Sequence, residues 1–241
     1  MADVRVFGTA LDAASATADE IAAAVKAKPD LVLGVATGAT VVPVYRRLVA
    51  AHHAGLSFAG VRCFSLDEYV GLPAMHGSSY RAEMRAQFYN PVGLPPSQCF
   101  APDGMADDPL AEAARYEAAI ARAGGVDLQL LGIGVNGHIG FNEPPADFNQ
   151  GVHVTDLAST TLVANRRFFQ PSEMQPTRAI TMGVRTILSA RKLLLIATGL
   201  GKRDAIAAAL RGPVSPACPA SSLQMHSNAL VILDADAASG L

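Results

Sequence analysis

The sequence predicts an α/β fold, with a mostly parallel sheet and helices on both of its faces. Short apolar runs, typical of strands buried on both faces, alternate along the chain with segments whose apolar residues recur at helical spacing. Half of the 241 residues are hydrophobic and 17% are charged, a balance that excludes intrinsic disorder and supplies a large core. Because no repeat, low-complexity tract or Ser/Gly linker divides the chain, we expect residues 1–241 to form a single domain.

The elements follow from capping signals and periodicity. Thr17 and Glu20 have the form of a capping box, which predicts that a helix opens there, runs through the Ala-rich residues 21–28 and ends at Pro29. An apolar strand follows, and then a helix whose C-cap is Gly55. The same signals, including those of the strand and the helix just mentioned, predict strands at 30–35, 61–66, 128–133, 179–182, 193–197 and 229–233. They predict further helices at 41–55, 79–88, 110–122 and 202–210.

Charge and hydropathy exclude two classes of partner. Lysine and arginine number 19 against 21 aspartates and glutamates, so the net charge of −2 gives no positive field for nucleic acid or anionic lipid. Charged residues interrupt the N-terminal segment, which therefore lacks the apolar region of a signal peptide. No later stretch reaches the roughly 18 to 20 apolar residues that span a bilayer. We expect a soluble protein that binds neither nucleic acid nor membrane.

The cysteines and histidines indicate a compartment and argue against a metal. Cys63, Cys99 and Cys218 lie far apart, form no C-x-x-C pair and leave one thiol over in any disulfide scheme. This usage is typical of the reducing cytoplasm. The histidines show no H-x-x-x-H spacing, so no metal site is expected.

In an open parallel sheet the ligand crevice lies beyond the carboxyl ends of the strands, so the residues that follow each strand are candidates for function. The turn Thr37-Gly38-Ala39-Thr40 stands between a predicted strand and a predicted helix. Backbone N–H groups and the helix dipole at such a turn favour an anion such as phosphate. The same residues also suit an ordinary turn with threonine as the helix N-cap.

Two adjacent acids, Asp67 and Glu68, follow the strand predicted at 61–66. Partial desolvation in a crevice raises the pKa of a carboxylate, which suits a general base. A solvated turn in which Asp67 caps a helix fits the same pattern.

The segment 134–149 is the longest one without periodicity, and loops of that length in a compact domain are more often functional than idle. It belongs to the stretch LGIGVNGHIGFNEP, whose glycines let the backbone approach a ligand closely. His138 and Glu143 in this loop can meet by a hydrogen bond that fixes the imidazole tautomer. A histidine with a purely structural role is the alternative.

Cations accompany two further segments. Lys202 follows a Gly-rich turn and stands at a helix start, where its charge opposes the helix dipole and so indicates an anion nearby. The turn does not match the Walker A pattern. Arg166 and Arg167 either supply a further cation or form an exposed basic pair.

Taken together, these segments resemble the glucosamine-6-phosphate deaminase family, whose members are also called glucosamine-6-phosphate isomerases. The likeness covers nearly the whole chain, and LDEYVGLP followed by NGHIGFNEP is its most specific part. The related 6-phosphogluconolactonases share the fold but are not expected to carry both motifs. The resemblance implies a modified Rossmann-like fold. The segments of this chain that carry the resemblance are, in order, GVATGAT, SLDEYVGLP with SSY, LQLLGIGVNGHIGFNEP, VANRRFF, TMGV, TGLGK and SLQMH.

The resemblance also implies a reaction in amino-sugar catabolism. A hydrolase acting on carbon–nitrogen bonds would convert D-glucosamine 6-phosphate and water to D-fructose 6-phosphate and ammonia, without a cofactor. His138, oriented by Glu143 and Asn136, would open the pyranose ring by moving a proton to the ring oxygen. Asp67 would take the C2 proton and return one to C1 through an enolamine, a kind of proton transfer worth roughly 10² to 10⁴ in rate.

Substrate binding and a moving segment are implied in the same way. The backbone turn at residues 37–40 would hold the phosphate together with Arg167 and Lys202. Residues from about 153 to 182 would form a mobile lid, which excludes water from the intermediate when it closes.

Single residues depart from the family pattern. Some members carry aspartate where this chain has Asn136, and an amide orients His138 without adding charge, so the imidazolium is expected to be less stabilised here. Ala39 stands where glycine or serine is usual. Arg185 stands where glycine is common, and the sequence suggests no function for this arginine.

Regulation is expected to differ as well. Some members are hexamers activated by N-acetylglucosamine 6-phosphate, through a basic cluster after the FNEP loop and a longer C-terminal tail. Here residues 146–155 hold little positive charge and the chain ends at Leu241, so an activator phosphate would lack partners. We expect hyperbolic kinetics and a monomer or small homo-oligomer.

Three rival functions stay open. The substrate can be another amino-sugar phosphate such as galactosamine 6-phosphate, which differs in the orientation of one hydroxyl. Lactone hydrolysis on the same fold needs a histidine that activates water but no base at C2. A sensor without catalysis is the third, although the presence of Asp67, His138 and Glu143 argues against it.

Overall fold

The computed structural model of the protein describes residues 2–241. Seven of the strands in that range form one sheet in which every neighbouring pair is parallel, so the predicted α/β class is confirmed. The strands are β1 (Asp3–Phe7), β2 (Val32–Val35), β3 (Arg62–Ser65), β4 (Asp67–Tyr69), β5 (Cys99–Phe100), β6 (Leu128–Leu131), β7 (His153–Asp156), β8 (Arg178–Thr181), β9 (Lys192–Ala197) and β10 (Ala229–Asp234). The parallel sheet has the order β1-β10-β9-β6-β2-β3-β5.

A second, smaller sheet lies outside the parallel one. It has the order β4-β8-β7, and both of its pairs are antiparallel. The strand predicted at 179–182 is therefore present as β8, but it does not belong to the parallel sheet as expected. The reason is its partners: β8 pairs with the short strands β4 and β7, which the apolar runs of the sequence do not reveal.

Helices connect the parallel strands. The segment predicted as a helix at 79–88 begins with Ser79 as its N-cap and continues beyond its α-helical part as a π-helical turn, Arg85–Tyr89. Within residues 2–241, no helix is long and apolar enough to cross a membrane. The α-helices are α1 (Ala10–Ala27), α2 (Val42–His53), α3 (Tyr80–Met84), α4 (Pro109–Arg122), α5 (Ser159–Asn165), α6 (Val184–Leu188), α7 (Arg203–Arg211) and α8 (Ala235–Ala238).

The capping box predicted at Thr17 and Glu20 is wrong, because α1 begins two turns earlier. Thr9 is the N-cap, and its side-chain oxygen accepts a 3.1 Å hydrogen bond from the backbone N–H of Asp12. Thr17 instead lies inside the helix and donates its hydroxyl proton to the carbonyl of Ala13 at 2.8 Å. The alanine-rich stretch extends N-terminally of Thr17, so helix propensity favours the earlier start.

The core has two layers, one on each face of the parallel sheet. Leu194 and Ile196 of β9 face the layer that contains α1 and α2, whereas Leu193 and Leu195 face the layer that contains α4 and α7. Alternation along one strand therefore buries both faces, as the apolar runs predict. A third cluster joins the small sheet to the body of the protein and consists of Tyr69, Leu72, Phe141, Leu157, Phe169 and Ala179.

Candidate active site

The four predicted functional segments leave four adjacent strands. β9, β6, β2 and β3 are consecutive in the sheet, and each is followed by one of these segments. Because the strands are parallel, their carboxyl ends share one edge, so the four segments lie side by side where open parallel sheets bind ligands.

The loop after β6 joins three of the predicted residues by hydrogen bonds. Asn136 accepts at Oδ1 from His138 Nδ1 at 2.7 Å, and its Nδ2 donates to Glu143 Oε2 at 2.6 Å. His138 Nδ1 also lies 3.3 Å from Glu143 Oε2. The amide thus stands between imidazole and carboxylate, and the three side chains form one unit.

This arrangement sets the charge of Glu143 and the tautomer of His138. Burial alone would raise the pKa of Glu143, but hydrogen bonds from His138, Thr161 and Asn136 outweigh it and hold the pKa at about 2. Because Asn136 turns its NH₂ group to the carboxylate, its oxygen faces the ring and accepts a hydrogen bond from Nδ1–H. In neutral His138 the acceptor nitrogen is then Nε2.

Glycines make room for the histidine. A Cβ placed on Gly134 would lie 2.2 Å from Cε1 of the His138 ring, so the ring occupies the space of a missing side chain. Gly137 has a φ of +83°, and a Cβ there would lie 2.7 Å from Sγ of Cys218. The glycine-rich stretch thus lets the histidine fold back onto its own loop.

Asp67, at the start of β4, is buried with 7% of its surface exposed. Burial raises the pKa of Asp67 to about 8, and the nearby carboxyls of Glu68 and Glu83 add to the rise. Among the residues that the structure describes, none donates a hydrogen bond to the Asp67 carboxylate. A desolvated carboxylate without a partner is suited to take a proton from a ligand.

Glu68, the neighbouring acid, has a different environment. Its carboxylate accepts hydrogen bonds from Ser79 Oγ at 2.7 Å and from the backbone N–H groups of Tyr69, Tyr80 and Arg81 at 2.9, 3.2 and 2.9 Å. It therefore satisfies the first N–H groups of α3. The capping role considered for Asp67 belongs to Glu68 instead, because only Glu68 faces that helix start.

Thr181 of β8, which sequence reasoning missed, connects Asp67 with the histidine loop. Thr181 is the register partner of Asp67 on one side and of His153 on the other. Its Oγ1 accepts a 3.1 Å hydrogen bond from the backbone N–H of Phe141, which lies in the loop. A single buried threonine therefore holds Asp67 and the histidine loop at neighbouring positions.

The predicted phosphate turn lies at the start of α2. Gly38 has a φ of +112°, and its carbonyl accepts from the backbone N–H of Val41 at 3.1 Å. Val41 is the N-cap of α2, and among the described residues no side chain caps this helix start. Threonine is thus not the N-cap, and the N–H groups of the first turn, in which Pro43 supplies none, have no side-chain cap.

The two predicted cations differ in placement. Lys202 is half-buried at the start of α7, where its Nζ donates to the carbonyl of Ile133 at 2.6 Å and burial lowers its pKa. It thereby joins the segment after β9 to the loop after β6. Arg167 is exposed, and its guanidinium lies 4.8 Å from the centre of the Phe168 ring. Among the described residues, no hydrogen bond joins Arg167 to residues 37–40.

Further residues at the site carry no motif. Thr161 of α5 donates its hydroxyl proton to Glu143 Oε1, and Asn165 of α5 donates to the Tyr69 hydroxyl at 2.9 Å. Their spacing of four residues on one helix is a signal that sequence reasoning did not use. Within residues 2–241 no group of three or more His, Cys, Asp or Glu side chains is placed to hold a metal ion.

Arg185 has a structural environment. Its guanidinium lies 3.8 Å from the Glu117 carboxylate and fills the space beside Gly151, where a Cβ would fall 2.3 Å from Nη2. Its backbone N–H donates to the carbonyl of Gln150 at 3.1 Å. Arg185 therefore packs against the backbone that leads from the histidine loop to β7.

Comparisons with known proteins identify the family of the chain. A family model described as glucosamine-6-phosphate isomerases/6-phosphogluconolactonase matches residues 8–232. The glucosamine-6-phosphate deaminase of Shewanella loihica is 52% identical over 217 residues, which are 90% of this chain and 81% of that protein. That of Pseudarthrobacter chlorophenolicus is 45% identical over 239 residues, 99% of this chain and 92% of that protein.

Solved structures show the same architecture. A monomeric glucosamine-6-phosphate deaminase superposes with a TM-score of 0.96 at 41% identity, covering 99% of this chain and all of that one. The 6-phosphogluconolactonase from Trypanosoma cruzi superposes with a TM-score of 0.81 at 20% identity, over all of this chain and 97% of that one. At that identity the second likeness shows a shared fold alone.

Proposed function

The chain belongs to the glucosamine-6-phosphate isomerase and 6-phosphogluconolactonase family, and from this premise we propose that it converts D-glucosamine 6-phosphate and water to D-fructose 6-phosphate and ammonia. The observation that carries the proposal is the pairing of two proton-transfer groups at one crevice. One is the His138–Asn136–Glu143 unit, and the other is the buried, unpartnered carboxylate of Asp67. Ring opening and isomerisation need both, whereas hydrolysis of a lactone needs no base at C2.

Ring opening falls to His138. With Nδ1 donating to Asn136, Nε2 accepts the proton of the C1 hydroxyl, and the imidazolium returns it to the ring oxygen as the bond between C1 and that oxygen breaks. The ionised Glu143 carboxylate lies 3.3 Å from Nδ1 and stabilises the transient positive charge. These steps use the nitrogen that faces away from Asn136.

Isomerisation falls to Asp67. Its ionised carboxylate removes the C2 proton, the electrons of that C–H bond form the C1=C2 double bond of an enolamine, and the π electrons of the C1 carbonyl move to O1, which takes a proton from water. Asp67 then delivers that proton to C1, where the electrons of the C1=C2 bond form the new C–H bond while the nitrogen lone pair forms a protonated imine at C2; water hydrolyses this imine to the ketone, ammonia and a proton. A carboxyl with a pKa of about 8 holds the removed proton well enough to deliver it, which suits a group that acts in both directions.

The phosphate binds at the turn of residues 37–40, with Arg167 and Lys202 as its cations. The proposal is supported by the start of α2, which carries no side-chain cap among the described residues, although Pro43 removes one N–H from its first turn. Lys202 uses one N–H in its bond to Ile133, so two more are free for the ligand. Arg167 reaches the phosphate only if its exposed side chain leaves the Phe168 ring.

Residues 153–182 act as the lid. Among their contacts with the loop after β4, Ser78 Oγ donates to the Phe168 carbonyl at 2.5 Å and His76 Nε2 lies 3.3 Å from Glu173. Opening of the segment would break these polar contacts and would also expose Leu157 and Phe169, which pack in the third cluster, so apolar burial as well as hydrogen bonding stabilises the closed form.

The assembly and compartment complete the proposal. A monomer, or at most a small homo-oligomer, with hyperbolic kinetics is supported by the 41% identical structure, which is that of a monomeric deaminase. A cytoplasmic location is supported by the three scattered cysteines, none of which forms a disulfide within residues 2–241.

Ammonia release tests the function. Wild type is assayed with glucosamine 6-phosphate, with galactosamine 6-phosphate and, for lactone hydrolysis, with 6-phosphogluconolactone. We expect activity with the gluco epimer and its loss by roughly 10² or more in Asp67→Asn, since the variant lacks the C2 base. Activity with galactosamine 6-phosphate alone would show that the galacto epimer, and not the gluco epimer, is the substrate. Lactone hydrolysis that survives in Asp67→Asn would overturn the proposal.

A further inference from the structure

The two carboxylate oxygens of Glu143 are held by two different segments of the chain. Oε2 accepts from Asn136 and lies near His138, both in the loop after β6. Oε1 accepts from Thr161, which lies in α5. Among the described residues, Thr161 is the only hydrogen-bond donor to Oε1, and its own exposure is 8%. Oε2 is therefore held by the loop and Oε1 by α5.

The side of α5 that bears Thr161 is attached to the site at a second point. Asn165, one helical turn further on, donates from Nδ2 to the Tyr69 hydroxyl at 2.9 Å, and the Tyr80 hydroxyl donates to the same oxygen at 3.1 Å. Tyr69 follows Asp67 by two residues in β4, so both side chains lie on the same face of that strand. One side of α5 thus contacts both halves of the proposed site.

Apolar packing fixes the ends of this segment. Leu157 precedes α5 and Phe169 follows it, and both are buried against Tyr69 and Phe141 in the third cluster. Phe141 belongs to the same loop as Glu143. The position of α5 and the position of that loop are therefore linked through packing as well as through the Thr161 hydrogen bond.

We propose that Thr161 is a positioning residue for ring opening: by donating to Glu143 Oε1 it makes the orientation of this carboxylate, and through it of Asn136 and His138, depend on α5 being in place. The inference rests on the proposed function, because it assigns Glu143 to the ring-opening step. It extends that function because the segment 153–182, besides excluding water, would also orient the Glu143 carboxylate.

The physical consequence concerns charge as well as orientation. Without a donor at Oε1 the ionised form of Glu143 loses one of the hydrogen bonds that oppose the effect of burial, so its pKa rises. The carboxylate also becomes free to rotate away from Asn136. His138 is the one titratable group facing Glu143 among the described residues, so no other charge takes over this role.

Three variants of α5 separate the hydrogen bond from its surroundings. Thr161→Val removes the hydroxyl but keeps the branched shape, and Thr161→Ser restores the hydroxyl. Thr160→Val makes the same change at the preceding, exposed position. Circular dichroism and the thermal midpoint establish that each variant is folded.

Kinetics with glucosamine 6-phosphate give the first readout. We expect kcat of Thr161→Val to fall by roughly tenfold to a hundredfold, the effect of losing a hydrogen bond to a charged group, with KM changed by less than about threefold. Thr161→Ser should recover most of kcat, and Thr160→Val should match wild type. Wild-type kcat in Thr161→Val, or equal loss in both Thr161 variants, would overturn the proposal.

A second readout does not depend on the reaction. The carboxyl ¹³C resonance of Glu143, assigned with Glu143→Gln, is followed from pH 7 to pH 3 in the substrate-free protein. In wild type it should show little titration, since its pKa is about 2, whereas in Thr161→Val it should titrate within the range. Identical curves would refute the role of Thr161. A wild type that releases no ammonia would instead refute the function, with this titration still testing the contact.

Discussion

The side-chain amide of Asn136 donates a 2.6 Å hydrogen bond to the carboxylate of Glu143. This contact fixes which way the amide points, and so leaves its oxygen for the imidazole of the same loop. A neutral side chain at this position can satisfy a carboxylate and a histidine at once, because it offers a donor on one side and an acceptor on the other.

Asn136→Asp is expected to change the pH dependence of the reaction. The added carboxylate stabilises the imidazolium of His138, which moves the profile of kcat to higher pH, and it also places a second negative charge beside Glu143. The measurement is kcat with glucosamine 6-phosphate across pH 5 to 10 for both proteins. Superimposable profiles would show that the amide has no electrostatic consequence.

Asp67→Asn is expected to alter the dependence of stability on pH. The native pKa of about 8 lies above the ordinary value of 3.8, so between these values the folded protein holds a proton that the unfolded chain releases. Stability of wild type therefore falls as pH rises from about 4 to about 8, by an amount of order several kcal/mol. The variant lacks this decline and should be the more stable protein at pH 8. Urea unfolding at pH 5 and pH 8 measures how the free energy of unfolding of each protein changes with pH. An equal change in wild type and in Asp67→Asn would contradict the raised pKa of Asp67.

Glu68→Gln is expected to do the opposite of Asp67→Asn. Glutamine keeps one acceptor oxygen where the carboxylate accepts from four donors, three of them at the start of α3, so the variant should lose about 1–3 kcal/mol of stability. Its kcat should fall far less than that of Asp67→Asn, because Glu68 faces the helix and not the crevice. Urea unfolding and steady-state kinetics on the two variants test this pair of effects, and a catalytic loss as large as that of Asp67→Asn would reject it.

Gly134→Ala is expected to displace His138. The new Cβ would lie 2.2 Å from Cε1 of the ring, so the imidazole must move, and a shift of about 1 Å at a catalytic group costs roughly a hundredfold in rate. Gly132→Ala is the matched control, because a Cβ there meets nothing within 4 Å. Activity assays on the two variants suffice, and equal activities would show that the ring does not depend on this space.

The sequence predicts the parallel core and the histidine loop because their signals are local. An apolar run identifies a strand buried on both faces, and the spacing of Asn136, His138 and Glu143 within one loop already places them within reach of each other. The structure confirms these strands and joins the three side chains by hydrogen bonds.

The small antiparallel sheet and the contacts of α5 are not predictable in this way. β4 has three residues and pairs with β8, more than a hundred positions away, so no local pattern marks it. The hydrogen bond from Thr161 to Glu143 depends likewise on how two separate segments pack. Sequence reasoning therefore finds the groups that do chemistry more readily than the groups that hold them.

The pairing of Asp67 with Thr181 has a consequence for how this site tolerates insertions and deletions. Successive side chains of a strand point to opposite faces, so a shift of β4 by one position against β8 would turn Glu68 toward the crevice and Asp67 toward α3. The chain would keep both acids and yet exchange their tasks. Which of the two neighbouring carboxylates is available for the proposed role of base thus depends on the register of a three-residue strand, and not on the side chains themselves.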